Sequence, residues 1–386
     1  MAVVDLNALS PEQLRARRTM KWSTYPHDVL PLWVAEMDYP TAPPVVAGLR
    51  RAVDAESFGY PLSAETSGLA DTLAEWLAVS HGWSVNPGGI FVVADVLTGL
   101  SLAIETFSEP TEAVIIPTPV YVPFFGVVEL TGRPQVQVPM VMEDDRWVLD
   151  LVGIDRALTD GARTLILCNP QNPLGRVHSR TELLALAEVI SRHDARVVSD
   201  EVHAPIAFGR PHIPLCEPVP ADGEAHGHPD VGIQGMEHPG LKCAQVVTSN
   251  AADAEAWGQL PMWTTIGVST MGIEANLAAY REGGPWLSEV RALLATHRDL
   301  VADAVAGMPG VRYAPGEGTY LAWLDCTELQ LGVEPADWFL EHAKVALSAG
   351  APFRAPALRF ARLNFATTTP ILGESLDRMV RALESR

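Results

Sequence analysis

Three stretches of this chain carry residue types and spacings that could do chemistry. Val96-Leu97-Thr98-Gly99-Leu100 follows a β-type run and opens a helical one. The N–H groups of Thr98 and Gly99 would then face outward at a helix N-terminus, a ready anion site. Many strand-to-helix turns hold a glycine, so this signal is weak by itself. Cys168-Asn169-Pro170-Gln171-Asn172-Pro173-Leu174-Gly175-Arg176 closes another apolar run. Its two Asn-Pro pairs hold the backbone extended and leave an amide free to project, at the strand ends where open α/β sheets bind ligands. Ser199-Asp200-Glu201-Val202-His203 closes the next strand and brings Asp200 to the same sheet edge. A carboxylate there is as readily a helix cap, and becomes functional when a cationic ligand group stands opposite.

These residues need elements to position them, and the patterning supplies them. Strands are predicted at Ile90 to Ala94, Ala113 to Ile116, Thr164 to Cys168, Arg196 to Ser199 and Ala244 to Thr248. Helical periods cover Thr98 to Phe107 and Thr181 to Arg192 between them, the alternation of an α/β domain around a largely parallel sheet. An amphipathic helix at Trp286 to Ala306 begins a smaller unit with strands at Tyr320 to Leu324 and Leu358 to Phe365, closed by a helix at Ile371 to Leu383. Ser10-Pro11-Glu12-Gln13 reads as a helix start, and Met1 to Lys21 lacks the apolar centre of a signal peptide. Cys216 to Pro239, rich in Pro, Gly, His and acidic residues, shows neither strand nor helix period and is expected as a long loop. Within it, His226, His228 and His238 with Asp230 match no standard metal spacing, and no metal is expected.

Composition excludes other classes. The 386 residues are 48% hydrophobic and 19% charged, which rules out bulk disorder. A net charge of −20 with no basic run argues against nucleic-acid or anionic-membrane partners. Four scattered cysteines suit a reduced, cytoplasmic protein. The chain holds only three lysines, Lys21, Lys242 and Lys344.

Taken together, Asn-Pro-x-Asn-Pro-x-Gly, Asp-Glu-x-His, Gly240-Leu241-Lys242-Cys243-Ala244 and Arg362-Leu363-Asn364-Phe365 resemble the fold-type I pyridoxal phosphate enzymes. Within them the chain resembles the class I/II aminotransferases, most closely the MalY/PatB group of cystathionine β-lyase-like C–S lyases. Leu32-Trp33-Val34-Ala35-Glu36-Met37-Asp38, Phe58-Gly59-Tyr60-Pro61, Pro119-Val120-Tyr121, Tyr280-Arg281-Glu282-Gly283 and Glu317-Gly318-Thr319-Tyr320 fall in family order. The resemblance implies a large α/β domain of residues 46–275 around a mostly parallel sheet. A small α+β domain of residues 276–386 would pack with the N-terminal segment 1–45, and the chain would form a homodimer. It also implies that Asp200 pairs with the cofactor's ring nitrogen, that Asn172 and His203 bond its hydroxyl, and that Tyr121 stacks on its face. Thr98, Gly99 and Lys242 would hold the phosphate, with Tyr60 reaching it from the neighbouring subunit. Arg362 would grip the carboxylate of an amino-acid-like substrate, beside Trp33.

In this family the cofactor aldehyde is held as a Schiff base by the lysine of a segment like Ser-Lys-Ala-Trp-Asn-Leu-Pro-Gly-Leu-Lys. Counted back from Pro239-Gly240-Leu241-Lys242, Gln234 stands at that lysine's place, and an apolar strand before it is absent. An amide is neither a nucleophile nor a proton shuttle, and loss of such a group costs about 10²- to 10⁴-fold for the acid–base role alone. The expectation is a divergent enzyme without the internal aldimine. It would use noncovalent pyridoxal or pyridoxamine phosphate or no cofactor, with Gln234, His238 and Tyr121 as candidate catalytic groups. A conventional lyase or aminotransferase with a misplaced lysine, and a non-catalytic partner subunit, are the competing readings.

Overall fold

The computed structural model describes residues 4–144, 146–215, 230–234, 239–264, 266–356 and 358–386. Seven strands build its main sheet: β1 (Ile90–Val93), β2 (Ala113–Thr118), β3 (Gln135–Pro139), β4 (Ala162–Cys168), β5 (Arg196–Asp200), β6 (Asp230–Gln234) and β7 (Ala244–Thr248). Their spatial order is β1-β7-β6-β5-β4-β2-β3. Pairs β2–β3, β2–β4, β4–β5 and β5–β6 are parallel, and β7 runs against both its neighbours. Near-continuous apolar strands such as Val114-Ile115-Ile116 are what a sheet covered on both faces requires.

One face packs against α3 (Val96–Phe107) and α4 (Pro123–Leu130), which follow α1 (Pro43–Asp54) and α2 (Leu69–His81) in the chain. The other face packs against α5 (Leu151–Thr159) and α6 (Arg180–Arg192). Helix α6 starts at Ser179, whose hydroxyl accepts from the Glu182 N–H while the Glu182 carboxylate accepts from the Ser179 N–H, a reciprocal cap. After α7 (Thr270–Glu282) the long α8 (Gly284–Ala306) enters a second layer. There β8 (Arg312–Tyr313), β9 (Leu321–Asp325), β10 (Ser348–Ala349) and β11 (Phe360–Asn364) form an antiparallel sheet ordered β8-β9-β11-β10. Helices α9 (Pro335–Ala343) and α10 (Thr369–Glu384) complete this core, to which Leu6, Leu32 and Tyr39 of the N-terminal segment contribute.

The predicted strands and helices stand within about three residues of their observed limits. The structure corrects one expectation: Cys216 to Pro239 is not devoid of regular structure, because Asp230–Gln234 forms β6 in the middle of the sheet. Val231 and Ile233 are fully buried there. Two apolar residues at alternate positions suffice to seat a strand between β5 and β7, although so short a pair carries little period in the sequence.

Candidate functional site

A cavity of about 420 Å³ opens at the C-terminal ends of the parallel strands. Tyr121, Cys168, Asn172, Asp200, His203 and Lys242 line it, residues drawn from separate stretches of the chain. Chain direction explains the convergence: β4 and β5 run side by side, with Cys168 opposite Asp200, so both strand ends deliver their next residues to one edge.

Asp200 is 3% exposed, and among the described residues the only donor to its carboxylate is the Val202 N–H at 3.1 Å. Burial pushes its pKa up to about 6 against the pull of the Val202 N–H and of nearby His203. A buried carboxylate so poorly satisfied suits a cationic ligand group. His203 meets Tyr320 edge to face at 5.7 Å between ring centres. Tyr121 packs edge-on against Phe124, and burial, followed by the Asp200 charge, raises its phenol pKa.

Arg362, on β11, is 5% exposed and enters the site from behind. Its guanidinium donates to Asn172 Oδ1 at 3.0 Å, to the Trp33 carbonyl at 2.9 Å and to Ser348 Oγ at 3.2 Å. Its Nε has no acceptor, and among the described residues no carboxylate pairs with it. Burial lowers its pKa to about 10. Arg362 does not itself line the cavity; it backs Asn172, which does. Trp33 likewise stands behind the wall, its indole donating to the Lys21 carbonyl at 3.4 Å.

At the start of α3 the cavity lining differs from expectation. Asp95, Val96 and Leu97 face the cavity, and Thr98 and Gly99 do not line it. Thr98 directs both its N–H and its hydroxyl to Asp95 Oδ1, at 2.8 and 2.9 Å. Gly99 serves packing: a Cβ there would approach Val93 and Val246 side chains to 3.2 Å, so its absence lets α3 sit close on the sheet. The N–H groups of Val96 and Leu97, in the first helical turn, are the ones that helix geometry leaves without intrahelical acceptors. Lys242 pairs with the other Asp95 oxygen at 2.8 Å. Burial opposes ionisation of Asp95, but the Lys242 and Thr98 hydrogen bonds hold its carboxyl below the usual range.

The Gln234 backbone ends β6 opposite Gln245. His238 lies outside the described residues. Tyr60 is 84% exposed and outside the cavity of its own chain, on a stretch where Phe58 and Leu62 are also exposed. Lys21, remote in sequence, proves close in space: fully buried, it pairs with Asp38 at 2.8 Å and donates to the carbonyl of Glu36, a cavity residue. Lys344 closes α9 in the left-handed conformation, away from the site.

Sequence reasoning missed Asp95 as the partner of Lys242, and missed the buried Glu201–His212 pair at 3.0 Å. Burial opposes ionisation of Glu201, but His212, the Leu215 N–H and the Ser199 hydroxyl keep its carboxyl below the usual range. The adjacency of Glu201 to Asp200 was the available signal, since two neighbouring carboxylates at a strand end must find separate partners.

The family model for aminotransferase class I and II matches residues 27–383. The chain is 38% identical to the cystathionine beta-lyase of Corynebacterium glutamicum over 96% of this chain and 98% of that one. It is 31% identical to the cystathionine beta-lyase PatB of Bacillus subtilis, covering 92% of this chain and 93% of that one. Among solved structures it is similar to a Corynebacterium diphtheriae protein assigned as a pyridoxal phosphate-dependent beta-cystathionase. The TM-score is 0.90 at 37% identity, with 98% and 99% of the two chains covered. The α/β architecture is that of the fold-type I aminotransferases.

Proposed function

The chain belongs to the class I and II aminotransferase family, and from that premise we propose that it acts on an amino-acid-like substrate as a C–S lyase or aminotransferase. In the chain as written, Gln234 stands at the place of the anchoring lysine, so pyridoxal or pyridoxamine phosphate would be held noncovalently.

The residues present fit that cofactor. Asp200 is a buried carboxylate short of partners, which a ring N–H would satisfy. The first turn of α3 with Lys242 offers N–H groups and a cation to a phosphate. When bound, the cofactor supplies a ring that accepts electrons from a substrate carbanion. Asp200 holds the proton at the ring nitrogen, Tyr121 covers the ring face, and Asn172 and His203 orient its hydroxyl.

The observation that carries the substrate class is Arg362. A buried guanidinium whose Nε is unsatisfied, and which no described carboxylate pairs, suits a ligand carboxylate. Tyr60 would reach the phosphate of a second copy in a homodimer, and we place the protein in the cytoplasm; no helix among the described residues is long and apolar enough to cross a membrane.

The test is a titration of the purified chain with pyridoxal phosphate, read by absorbance, followed by assay of pyruvate, ammonia and thiol release from cystathionine. Saturable binding that Asp200→Ala abolishes, with turnover above background, supports the proposal. No turnover, with a biological effect left untouched by Asp200→Ala and Arg362→Ala, would point instead to a non-catalytic partner subunit.

A further inference from the structure

The stretch 216–238 departs from the family pattern that flanks it. The match resumes at Pro239-Gly240-Leu241-Lys242, and Lys242 lines the cavity beside Asp95. We propose that this stretch is read one nucleotide out of its natural frame, and that the natural product carries lysine at position 234. The proposal rests on the reading of the site given above and goes beyond it by supplying the group that reading lacks.

The genetic code makes the argument checkable from the residues alone. Moving one nucleotide on, each codon consists of the last two letters of one written codon and the first of the next. Methionine has the single codon ATG and every glutamate codon begins with G, so Met236-Glu237 must spell TGG, tryptophan. Gln234 followed by the G of Gly235 spells AAG or AGG, lysine or arginine. Ile233 before the C of Gln234 gives phenylalanine, serine or tyrosine, and Gly235 before the A of Met236 gives valine, alanine, glutamate or glycine. Glu237 before the C of His238 gives asparagine or serine. Positions 233 to 237 can therefore read Ser-Lys-Ala-Trp-Asn, the family segment, in register, with its tryptophan compelled. Position 238 becomes isoleucine or threonine, where the segment has leucine.

The same shift makes the sequence leading up to β6 apolar. Gly227-His228-Pro229-Asp230 becomes a run that admits valine, then isoleucine or threonine, then leucine, then methionine or threonine. These are apolar and β-branched types, in place of the turn-forming residues of the written frame. The frames rejoin at a run of cytosines formed by the shifted codon of position 238 and the codon of Pro239, where one lost nucleotide suffices. The register agrees: position 234 follows Ile233, the strand partner of Asp200, and so ends β6 at the sheet edge where Asp200 stands.

Two measurements decide. Nucleotide sequencing of the gene from its natural source, across the codons for Leu215 to Lys242, should give Ser-Lys-Ala-Trp-Asn at positions 233–237. Tandem mass spectrometry of the natural protein should recover a peptide ending at the new lysine. An AGG codon in the shifted frame, a stop codon within it, or recovery of Met236-Glu237-His238 in a peptide of the natural protein overturns the proposal. A frame-restored chain should gain a visible absorbance band, yield a pyridoxyl-lysine peptide after borohydride reduction, and exceed the chain as written by about 10²- to 10⁴-fold in rate. A restored chain with the pyridoxyl-lysine but no turnover of any C–S substrate would leave the frame standing and refute the proposed reaction.

Discussion

Arg362 donates to the side-chain oxygen of Asn172 at 3.0 Å, and this bond ties the antiparallel sheet to the C-terminal edge of the parallel one. The guanidinium thereby becomes a fixed support behind Asn172, a cavity residue carried by the large sheet's edge. Its other terminal nitrogen, Nη2, donates to the Trp33 carbonyl and to Ser348 Oγ, which hold the planar fork in one orientation.

Lysine at this position keeps the charge and loses the fork. For Arg362→Lys we expect substrate binding to weaken by about 1.5–3 kcal/mol, roughly ten- to hundredfold, with little change in cofactor binding. Separate titrations with cofactor and with a substrate amino acid check the split; equal weakening of both would place Arg362 in general support of the pocket.

Asp200 predicts an inverted pH dependence of stability in the cofactor-free chain. Its folded pKa, about 6, lies above the value of 3.8 for a free aspartate, so between those values the folded state binds more protons than the unfolded one. Its contribution is therefore most favourable below pH 4 and is lost as pH rises through 6. Asp200→Asn removes a cost of at most ~3 kcal/mol at neutral pH. Thermal melts at pH 4 and pH 7.5 should show stabilisation by Asp200→Asn only at the higher pH. Cofactor affinity should fall in the same variant.

Asp95 holds the Lys242 ammonium and the Thr98 N–H, so under the proposed function it would compete with an incoming phosphate for Lys242. Asp95→Asn keeps an oxygen to accept from the Thr98 N–H and removes the like charge. Pyridoxal phosphate should then bind about two- to fivefold more tightly, from ~0.5–1 kcal/mol of relieved repulsion. Weaker binding would mean that Asp95 is needed to orient Lys242.

Lys21 and Asp38 form a buried pair, with Asp38 also accepting from the Trp22 indole at 2.7 Å. Asp38→Ala strands the ammonium in the interior and should cost about 3–5 kcal/mol of stability. Lys21→Met with Asp38→Ala should recover part of that loss, because the unpaired charge goes too. Denaturant midpoints of the two variants measure the difference.

Much of the fold was legible before any coordinates. The apolar β-type runs at 90–94, 113–116, 164–168, 196–199 and 244–248 are long enough to show their character, and buried strands need no information beyond it. The strand at 230–234 was not legible, because five residues with two apolar positions look like loop until neighbouring strands offer backbone partners. Asp200, Asn172 and Tyr121 were found from sequence, since strand-end residues in an α/β sheet converge whatever the surrounding detail.

Other features depended on how distant segments meet. Which residues of this turn line the cavity depended on how α3 packs on the sheet, close over Gly99, so Asp95, Val96 and Leu97 line it and Thr98 and Gly99 do not. The nearness of Lys21 to the cavity wall came from the N-terminal segment folding back across the molecule. Residue types at strand ends record chemistry locally, so the sequence alone determined the family, the fold class and several of the residues that line the cavity. Pairing between side chains hundreds of residues apart, such as Arg362 with Asn172 and Lys242 with Asp95, depends on packing that local composition does not encode, and only the tertiary structure decided it.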